Sequence, residues 1–250
     1  NKIRLLQFVN LILAIVGLFY IHSTWIPLVF VCWFIYAPLN VGVTLHRLLA
    51  HKSFKTHQWL SRALSVLSAT STMGPTINWV AVHRMHHVYA DTNGDPHTPY
   101  VNSNFNLLAV IKVWFGCWTV KNVPPNYIKD LMRDPIHRWI FNNYFTIIIG
   151  WIIILAVINP WLVIYAYALP CTLALYSTSA VNVLGHVHGY RTYNTKDHST
   201  NSWLANILSF GEGWHNTHHA NPSRSYLKDH WWEWDIIGLL IAVISIRKPS

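Results

Sequence analysis

Charged residues are scarce in this chain of 250 residues, at 11% of the total, and carboxylates are the scarcest, with nine Asp and Glu against 18 Lys and Arg. A soluble domain carries about 25% charged residues. With 52% hydrophobic residues, the composition excludes an ordinary soluble domain and predicts an integral membrane protein. The net charge of +9 indicates contact with membrane lipids rather than nucleic acid, because basic residues are common beside a cytoplasmic leaflet.

Cysteines are also few. Cys32, Cys117 and Cys171 lie in apolar surroundings, and their spacing is typical neither of a disulfide framework nor of a thiolate metal site. We interpret them as reduced packing residues.

Long apolar runs, by contrast, are present. Four are long enough for a membrane span of about 20 residues, at about 5–21, 25–45, 141–158 and 161–184. Short turns near 22–24 and at Asn159-Pro160 predict that they pair as two hairpins. Apolar stretches at about 59–82, 105–118 and 236–246 are interrupted or short, and we expect helices at the membrane interface there.

Lys and Arg are absent from both hairpin turns. The positive-inside rule therefore predicts that the two turns face outward, and that both termini and the remaining residues outside the spans face the cytoplasm. The sequence predicts a single membrane domain over 1–250. Its fold would be all-α, with four transmembrane helices in two hairpins and a cytoplasmic helical cap made of residues 46–143 and 185–250, carrying a histidine-rich dimetal site.

Histidine is the unusual abundance, with 16 residues. One pattern, H-x-x-H-H, occurs twice, at 83–87 and 215–219. Positions i, i+3 and i+4 share a helix face, and imidazole is a common ligand for transition metals. For a lone copy, ordinary surface or core histidines explain the pattern equally well. Two copies on the same side of one membrane protein favour a metal centre.

Two further groups of candidate ligands lie at the ends of the second and fourth predicted spans. His46 and His51 are five positions apart, about 500° of α-helical rotation, so they converge only if the helix ends or bends near His51. Asn182 and His186 are four apart and share a face. Nine imidazoles exceed what one tetrahedral zinc needs and fit two metals, whereas residue type alone leaves iron, copper, nickel and zinc open.

The ordered motifs HRLLAH, HRMHH, NVLGH and GEGWHNTHH resemble the membrane fatty acyl desaturases, especially the Δ9 acyl desaturase branch, over nearly the whole chain. Flanking residues agree, with Gly42, Thr44 and Trp79, the DPH sequence at 95–97 and YRTYN at 190–194. The resemblance implies a helical cone with a cytoplasmic cap that binds two iron ions. The implied metal ligands are His46, His51, His83, His86, His87, His186, His215, His218 and His219, with Asn182 acting through water.

The resemblance implies oxygen-dependent desaturation of a fatty acyl chain, with a cis double bond at Δ9 and no catalytic residue beyond the metal ligands. It leaves the acyl carrier open between a lipid, coenzyme A and acyl carrier protein. No HPGG haem motif occurs, which predicts an external electron donor such as ferredoxin or a b-type cytochrome. Ala81-Val82 replaces an Arg-Asp pair that the family often has, and this leaves the substrate head group open.

An apolar tunnel should hold the substrate beside the metals. We expect Trp79, Thr178 and Trp214 in its wall and Phe34 and Pro38 at its end, although ordinary packing explains each of them equally well.

Outside the ligands, metal-bound imidazoles usually donate their second N–H to a carboxylate. Asp95 and Glu212 are the favoured partners, and Asp91 and Asp229 are further candidates. Arg84, Lys112, Arg191 and Arg224 are candidates for contact with a carrier, a lipid head group or an acidic donor. The remaining histidines without partner spacing are interpreted as structural or surface residues: His22, His57, His137, His188, His198 and His230.

The motifs leave two other functions open. A hydroxylase or related oxygenase uses the same di-iron scaffold, and the flanking residues favour desaturation over it. A metal transporter would hold its ligands near the membrane midplane, whereas these histidines lie at the cytoplasmic ends of the spans.

Overall fold

Helices are the main secondary structure of the computed structural model, which describes residues 2–102, 104–116 and 123–246. The all-α prediction is confirmed, apart from a two-stranded antiparallel ribbon of β1 (Tyr100–Val101) and β2 (Asn104–Phe105). Cys117 and the end of the expected 105–118 helix lie outside the described residues. The α-helices are α1 Lys2–Phe19, α2 Ile26–Phe34, α3 Gln58–Ser68, α4 Thr76–Tyr89, α5 Leu107–Trp114, α6 Lys129–Arg133, α7 Pro135–Ile158, α8 Leu169–Val187, α9 Trp203–Ser209, α10 His215–Ala220 and α11 Ile236–Ile244.

Four helices within the described residues are long and apolar enough to cross a membrane, at Lys2–Phe19, Ser23–Ala50, Pro135–Ile158 and Val163–Val187. Their number matches the prediction, but their bounds differ. The second continues to Ala50 instead of ending near residue 45, and the third begins at Pro135, where Asp134 caps the helix by accepting from the Ile136 amide. Parts of the predicted cap therefore belong to the span helices.

The fourth span is the centre of the bundle. In its most apolar stretch 78% of the residues are buried, against 22% in the first and third spans. Tyr165 donates to the carbonyl of Gly17 at 3.0 Å, and Ser177 accepts from Trp33 Nε1 at 3.0 Å, so the first and second spans both pack on it. Polar residues in a span face the protein interior, which explains why the serine-rich and threonine-rich span is the buried one.

A π-helical segment, Ile35–Ala50, forms the last 16 of the 28 residues of the second span. Its amides bond carbonyls five residues earlier, as in the 3.1 Å bond from the His51 amide to the His46 carbonyl. Residues five apart therefore lie nearly above one another. Pro38, which lacks an amide hydrogen, lies inside the segment. This winding, together with the helix end at Ala50, lets His46 and His51 point the same way.

The cap is built from short helices that pack around the ends of the spans. The apolar stretch at 59–82 is two helices, α3 and α4, joined by a buried turn at Ala69–Ser71 and Thr72. The final apolar run is α11, whose first turn is capped by Asp235. The helix α11 packs against the π-helical segment. The cap thus surrounds the end of the second span, where the first two histidines lie.

Gly42 lies where the second span meets α11. A methyl group added there would come within 2.4 Å of Ile237 Cδ1 and 3.1 Å of Glu212 Oε1. Ile237 is fully buried, so it has little freedom to move. We expect Gly42→Ala to lower the free energy of unfolding by about 1–3 kcal/mol, as overpacked cores usually do, measured by denaturant unfolding in detergent.

Gly150, within α7, provides the matched control because a methyl group there would meet no atom within 4 Å. Gly150→Ala should leave stability unchanged or raise it by up to about 1 kcal/mol through helix propensity. Equal effects of the two substitutions would contradict close packing at Gly42.

Candidate metal centre and substrate cavity

Five histidines from three parts of the chain converge in one group. Each ring contributes one nitrogen, and these five nitrogens all lie within 4.8 Å of one another. Nε2 of His83 lies 2.7 Å from that of His51 and 3.1 Å from that of His87, and Nε2 of His218 lies 3.0 Å from that of His46. We call this set, His46, His51, His83, His87 and His218, the five-histidine group.

Four other histidines form a second group beside it. Nε2 of His86 lies 3.2 Å from that of His219, and Nε2 of His186 lies 3.0 Å from that of His215. These nitrogens also lie within 4.8 Å of one another. We call His86, His186, His215 and His219 the four-histidine group. The structure thus brings together all nine histidines that the sequence singled out.

Each H-x-x-H-H motif contributes to both groups. On α4, His83 and His87 are four residues apart and share the face toward the five-histidine group, while His86 points to the other group. On α10 the assignment is reversed, because His218 alone joins the five-histidine group. The sequence left this division open, since spacing does not fix how two helices face each other.

Carboxylates hold the outer nitrogen of four of these rings. Nδ1 of His46 contacts Glu212 at 2.8 Å, and Nδ1 of His86 contacts Asp95 at 2.9 Å. The sequence favoured both carboxylates. The other two contacts, each of 2.8 Å, are His186 to Asp91 and His219 to Asp197.

Asp197 is a functional residue that the sequence analysis missed. It lies in an irregular loop, 22 positions from its partner His219, so no periodic spacing relates the two. Asp229, which was a candidate, instead accepts from Thr217 at 2.8 Å and pairs with Arg224 at 2.6 Å. It therefore orders the neighbouring loop without touching a histidine of either group.

Burial favours the neutral form of seven of the nine imidazoles. It lowers the pKa of His87 to about 3, with further lowering by neighbouring rings. Burial, and then neighbouring charges, chiefly those of the other rings, hold the pKa of six more well below 6.5: His51, His83, His86, His215, His218 and His219. Neutral imidazole is the form that binds a metal.

Three of the carboxylates, Asp91, Asp197 and Glu212, in contrast have a lowered pKa, which favours the ionised form. Burial alone would raise the pKa of Asp91 and Asp197, but hydrogen bonds from His186 and His219, with those from nearby hydroxyl and amide groups, lower both. Burial also opposes ionisation of Glu212, and the positive charge of Arg47 outweighs it, so that pKa is lowered too. Asp95, Asp91 and Asp197 accept hydrogen bonds from Nδ1 of His86, His186 and His219, and Glu212 Oε2 lies 2.8 Å from Nδ1 of His46.

The pair His86 and His219 tests whether a cation fits. Both rings are neutral and both carry their proton on Nδ1, because each Nδ1 donates to a carboxylate. Their Nε2 atoms then face each other at 3.2 Å with two lone pairs, an arrangement that repels unless a cation lies between them. Metal–imidazole bonds of about 2.0–2.1 Å place neighbouring ligand nitrogens about 3 Å apart, which matches the observed separations.

A narrow, mostly apolar cavity of about 40 Å³ adjoins both groups. His46 and His83 of the five-histidine group and His215 of the four-histidine group line it. It runs between the second and fourth spans, and its other lining residues are Ala37, Val41, Gly42, Trp79, Ser177, Thr178, Val181, Asn182, Ser209 and Glu212.

The predicted tunnel residues fall into two sets. Trp79 and Thr178 line the cavity, and the Trp79 ring stacks on His83 with centroids 5.0 Å apart. Trp214, Phe34 and Pro38 are not part of its described lining. Trp214 turns away because its Nε1 donates to the Trp234 carbonyl at 2.8 Å.

Phe34 packs edge-on against Phe210, with ring centroids 5.5 Å apart. Phe210 follows Ser209, which lines the cavity, and is not itself part of the described lining. Asn182, predicted to act through water, lines the cavity with His215.

Arg84, a candidate for contact with a carrier, a lipid head group or an acidic donor, makes its contacts inside the protein. Its guanidinium donates to the carbonyls of Leu49 and Ala50 at 2.7 and 2.9 Å and forms a two-point pair with Asp130 at 2.8 and 2.9 Å. It therefore ties α4 to the end of the second span, where His51 lies. Lys112 lines a separate cavity together with Asp95 and His97.

Known proteins have similar sequences. The chain matches the fatty acid desaturase family model over residues 23–235. It is 33% identical over 217 residues to the sn-1 stearoyl-lipid 9-desaturase of Anabaena variabilis, in an alignment that covers 83% of this chain and 76% of the relative.

Two further relatives agree. The sn-2 palmitoyl-lipid 9-desaturase of Nostoc sp. (strain 36) is 34% identical over 84% of this chain and 74% of its own length. Delta-9 acyl-lipid desaturase 2 of Arabidopsis thaliana is 31% identical over 94% of this chain and 76% of its own length. With its four apolar helices and histidine clusters, the chain belongs to the fatty acid desaturase family and is a membrane enzyme that desaturates fatty acyl chains.

Proposed function

We propose that this enzyme introduces a cis double bond at Δ9 of a lipid-linked fatty acyl chain, using dioxygen, two histidine-bound irons and electrons from a separate donor protein. One observation carries the proposal: the apolar cavity touches ligand histidines of both groups. A short segment of an acyl chain lying in it would be beside both metals. The names of the relatives, which specify 9-desaturation of acyl-lipids, support the position and the carrier.

Nine nitrogen ligands would hold the two irons, five in one group and four in the other. When bound, the irons supply the oxidising power that removes hydrogen from an unactivated alkyl chain, which no side chain provides. Asn182, beside His215 in the cavity wall, would complete the four-histidine group through a water molecule. The four carboxylates keep the protons on Nδ1 and leave Nε2 free for the metal.

The cavity residues provide geometry. Trp79, stacked on His83, would press the acyl chain toward the metals from one side, and Thr178 would contact it from the fourth span. Tight apolar walls exclude water and hold one pair of methylene groups in place, which is how positioning lowers a barrier.

A cytoplasmic active site is part of the proposal. Both hairpin turns lack Lys and Arg, which supports an orientation with the termini and the cap inside. The donor would then be a cytoplasmic redox protein such as ferredoxin or a b-type cytochrome, and its docking would occur on the cap.

Expression in a host that lacks its own desaturase tests the reaction. We expect new monounsaturated chains with the double bond at carbon 9, identified by mass spectrometry with double-bond location. A hydroxylated product would point to an oxygenase instead, and unsaturation elsewhere along the chain would contradict the Δ9 assignment.

His186 and the neighbouring His188 give a matched pair for the ligand assignment. His186 is buried and bonded to Asp91, whereas His188 is exposed. We expect His186→Ala to reduce bound iron toward one per chain and to lower activity by more than about 100-fold. Removing only the partner of a metal ligand costs up to about 100-fold, and removing the ligand itself should cost more. His188→Ala should retain both irons by metal analysis. The reverse result would refute the assignment.

Thr178 tests the cavity. Thr178→Leu adds bulk to a narrow space, and a displacement of about 1 Å can cost about 100-fold in rate, so we expect a loss of that size in product formed with iron content unchanged. Thr178→Val keeps the shape and loses only a hydroxyl that donates to Ala174 within the helix. It should retain most of the activity; if both variants are equally active, substrate does not occupy this cavity.

A further inference from the structure

The four carboxylates that hold the histidines are themselves held in different ways. Three accept hydrogen bonds from backbone amides and hydroxyl groups of nearby loops. The donors are the amides of Asp91 and His97 for Asp95, the His198 amide and Thr98 hydroxyl for Asp91, and the Ser199 amide with the Ser199 and Thr195 hydroxyls for Asp197. Glu212 alone among the four is held by a cation, Arg47.

Arg47 directly follows His46 and is buried, with 1% of its surface exposed. Its Nε donates to Glu212 Oε1 at 3.1 Å. Its two terminal nitrogens form a fork with Asp235, at 2.6 and 3.1 Å, and also donate to the carbonyls of Ser225 and Gly211 at 2.9 and 3.2 Å. All five N–H donors of the guanidinium are therefore used.

This geometry fixes Glu212 from one side only. Oε1 faces Arg47, and Oε2 faces Nδ1 of His46 at 2.8 Å. A rigid, planar guanidinium holds a carboxylate at a set angle, which a lysine ammonium does not do. The position of Arg47 thus determines the position of the oxygen that holds His46.

The two histidine groups depend unequally on such contacts. The four-histidine group has three carboxylates, on His86, His186 and His219. Within the described residues, the five-histidine group has only Glu212, on His46. Loss of that one contact should therefore weaken the five-histidine group and leave the other group intact.

We propose that Arg47 is a positioning residue that acts through Glu212 on His46 and selectively sets the metal affinity of the five-histidine group. The inference rests on the proposed two-metal function. Arg47 would not touch the metal or the substrate; it orients the carboxylate that orients the ligand. Asp235 completes the arrangement by holding Arg47 and, through its bond to the Gly238 amide at 2.8 Å, the start of α11.

Titration of metal-free protein with Co²⁺ tests the proposal without relying on activity. The wild type should bind two equivalents, read from the d–d absorption of the ion. Arg47→Lys keeps the charge and loses the fork, and we expect one equivalent to weaken by about 10–100-fold and the other to change by less than about twofold. Glu212→Gln should weaken the same equivalent.

The double variant separates positioning from general packing. If Arg47 acts through Glu212, Arg47→Lys should add little in the Glu212→Gln background, because residues in one network are not additive. Additive weakening would show that the two act independently and would overturn the proposal. If Arg47→Lys does not fold, Glu212→Gln alone still tests the proposal. Equal weakening of both Co²⁺ equivalents by Glu212→Gln would overturn it.

Two controls identify the site. Asp95→Asn should weaken the other equivalent, so combining it with Arg47→Lys should weaken both. Arg62→Lys changes a surface arginine paired with Asp134 and should alter neither. A wild type that binds fewer than two ions would refute the two-metal function itself, whereas two normal ions with an unaffected Arg47→Lys titration would refute only the role of Arg47.

Discussion

Lone pairs of nine imidazoles directed at two points repel one another, and the remaining structure serves to hold them there. The repulsion is sharpest between His86 and His219, whose protons are fixed on the far side of each ring by Asp95 and Asp197. A cation relieves it, so metal binding and folding of the cap are thermodynamically coupled. Burial strengthens the coupling, because neutral rings in a low-dielectric interior cannot relieve the strain by taking up protons at neutral pH.

The membrane spans serve this centre by different means. The first and third are largely lipid-facing, while the fourth is buried and carries His186 at its end. The second reaches the centre as a π-helix, which aligns His46 with His51 and turns Arg47 into the interior. The space between the second and fourth spans is the cavity, so the same two helices that deliver ligands also form the walls for a substrate.

Much of this was readable in the sequence because it depends on periodicity and composition. Four apolar runs, two H-x-x-H-H motifs and the NVLGH ending predicted the spans and the converging histidines. Features that depend on contacts between distant loops could not be predicted from the sequence. Asp197 reaches His219 from an irregular loop, the division of each motif between two groups depends on how α4 faces α10, and the π-helical winding has no simple residue signature beyond an internal proline.

The division of each motif between both groups also sets an order of assembly. Neither group is complete without α10, which supplies His218 to one and His215 and His219 to the other. During synthesis, the ribosome must therefore have made the chain through Ala220, and all four spans must have entered the bilayer, before either histidine group can be complete. Under the proposed two-metal function, metal loading would consequently be a late event in the life of the nascent protein, and displacement of this one short helix would leave both groups incomplete.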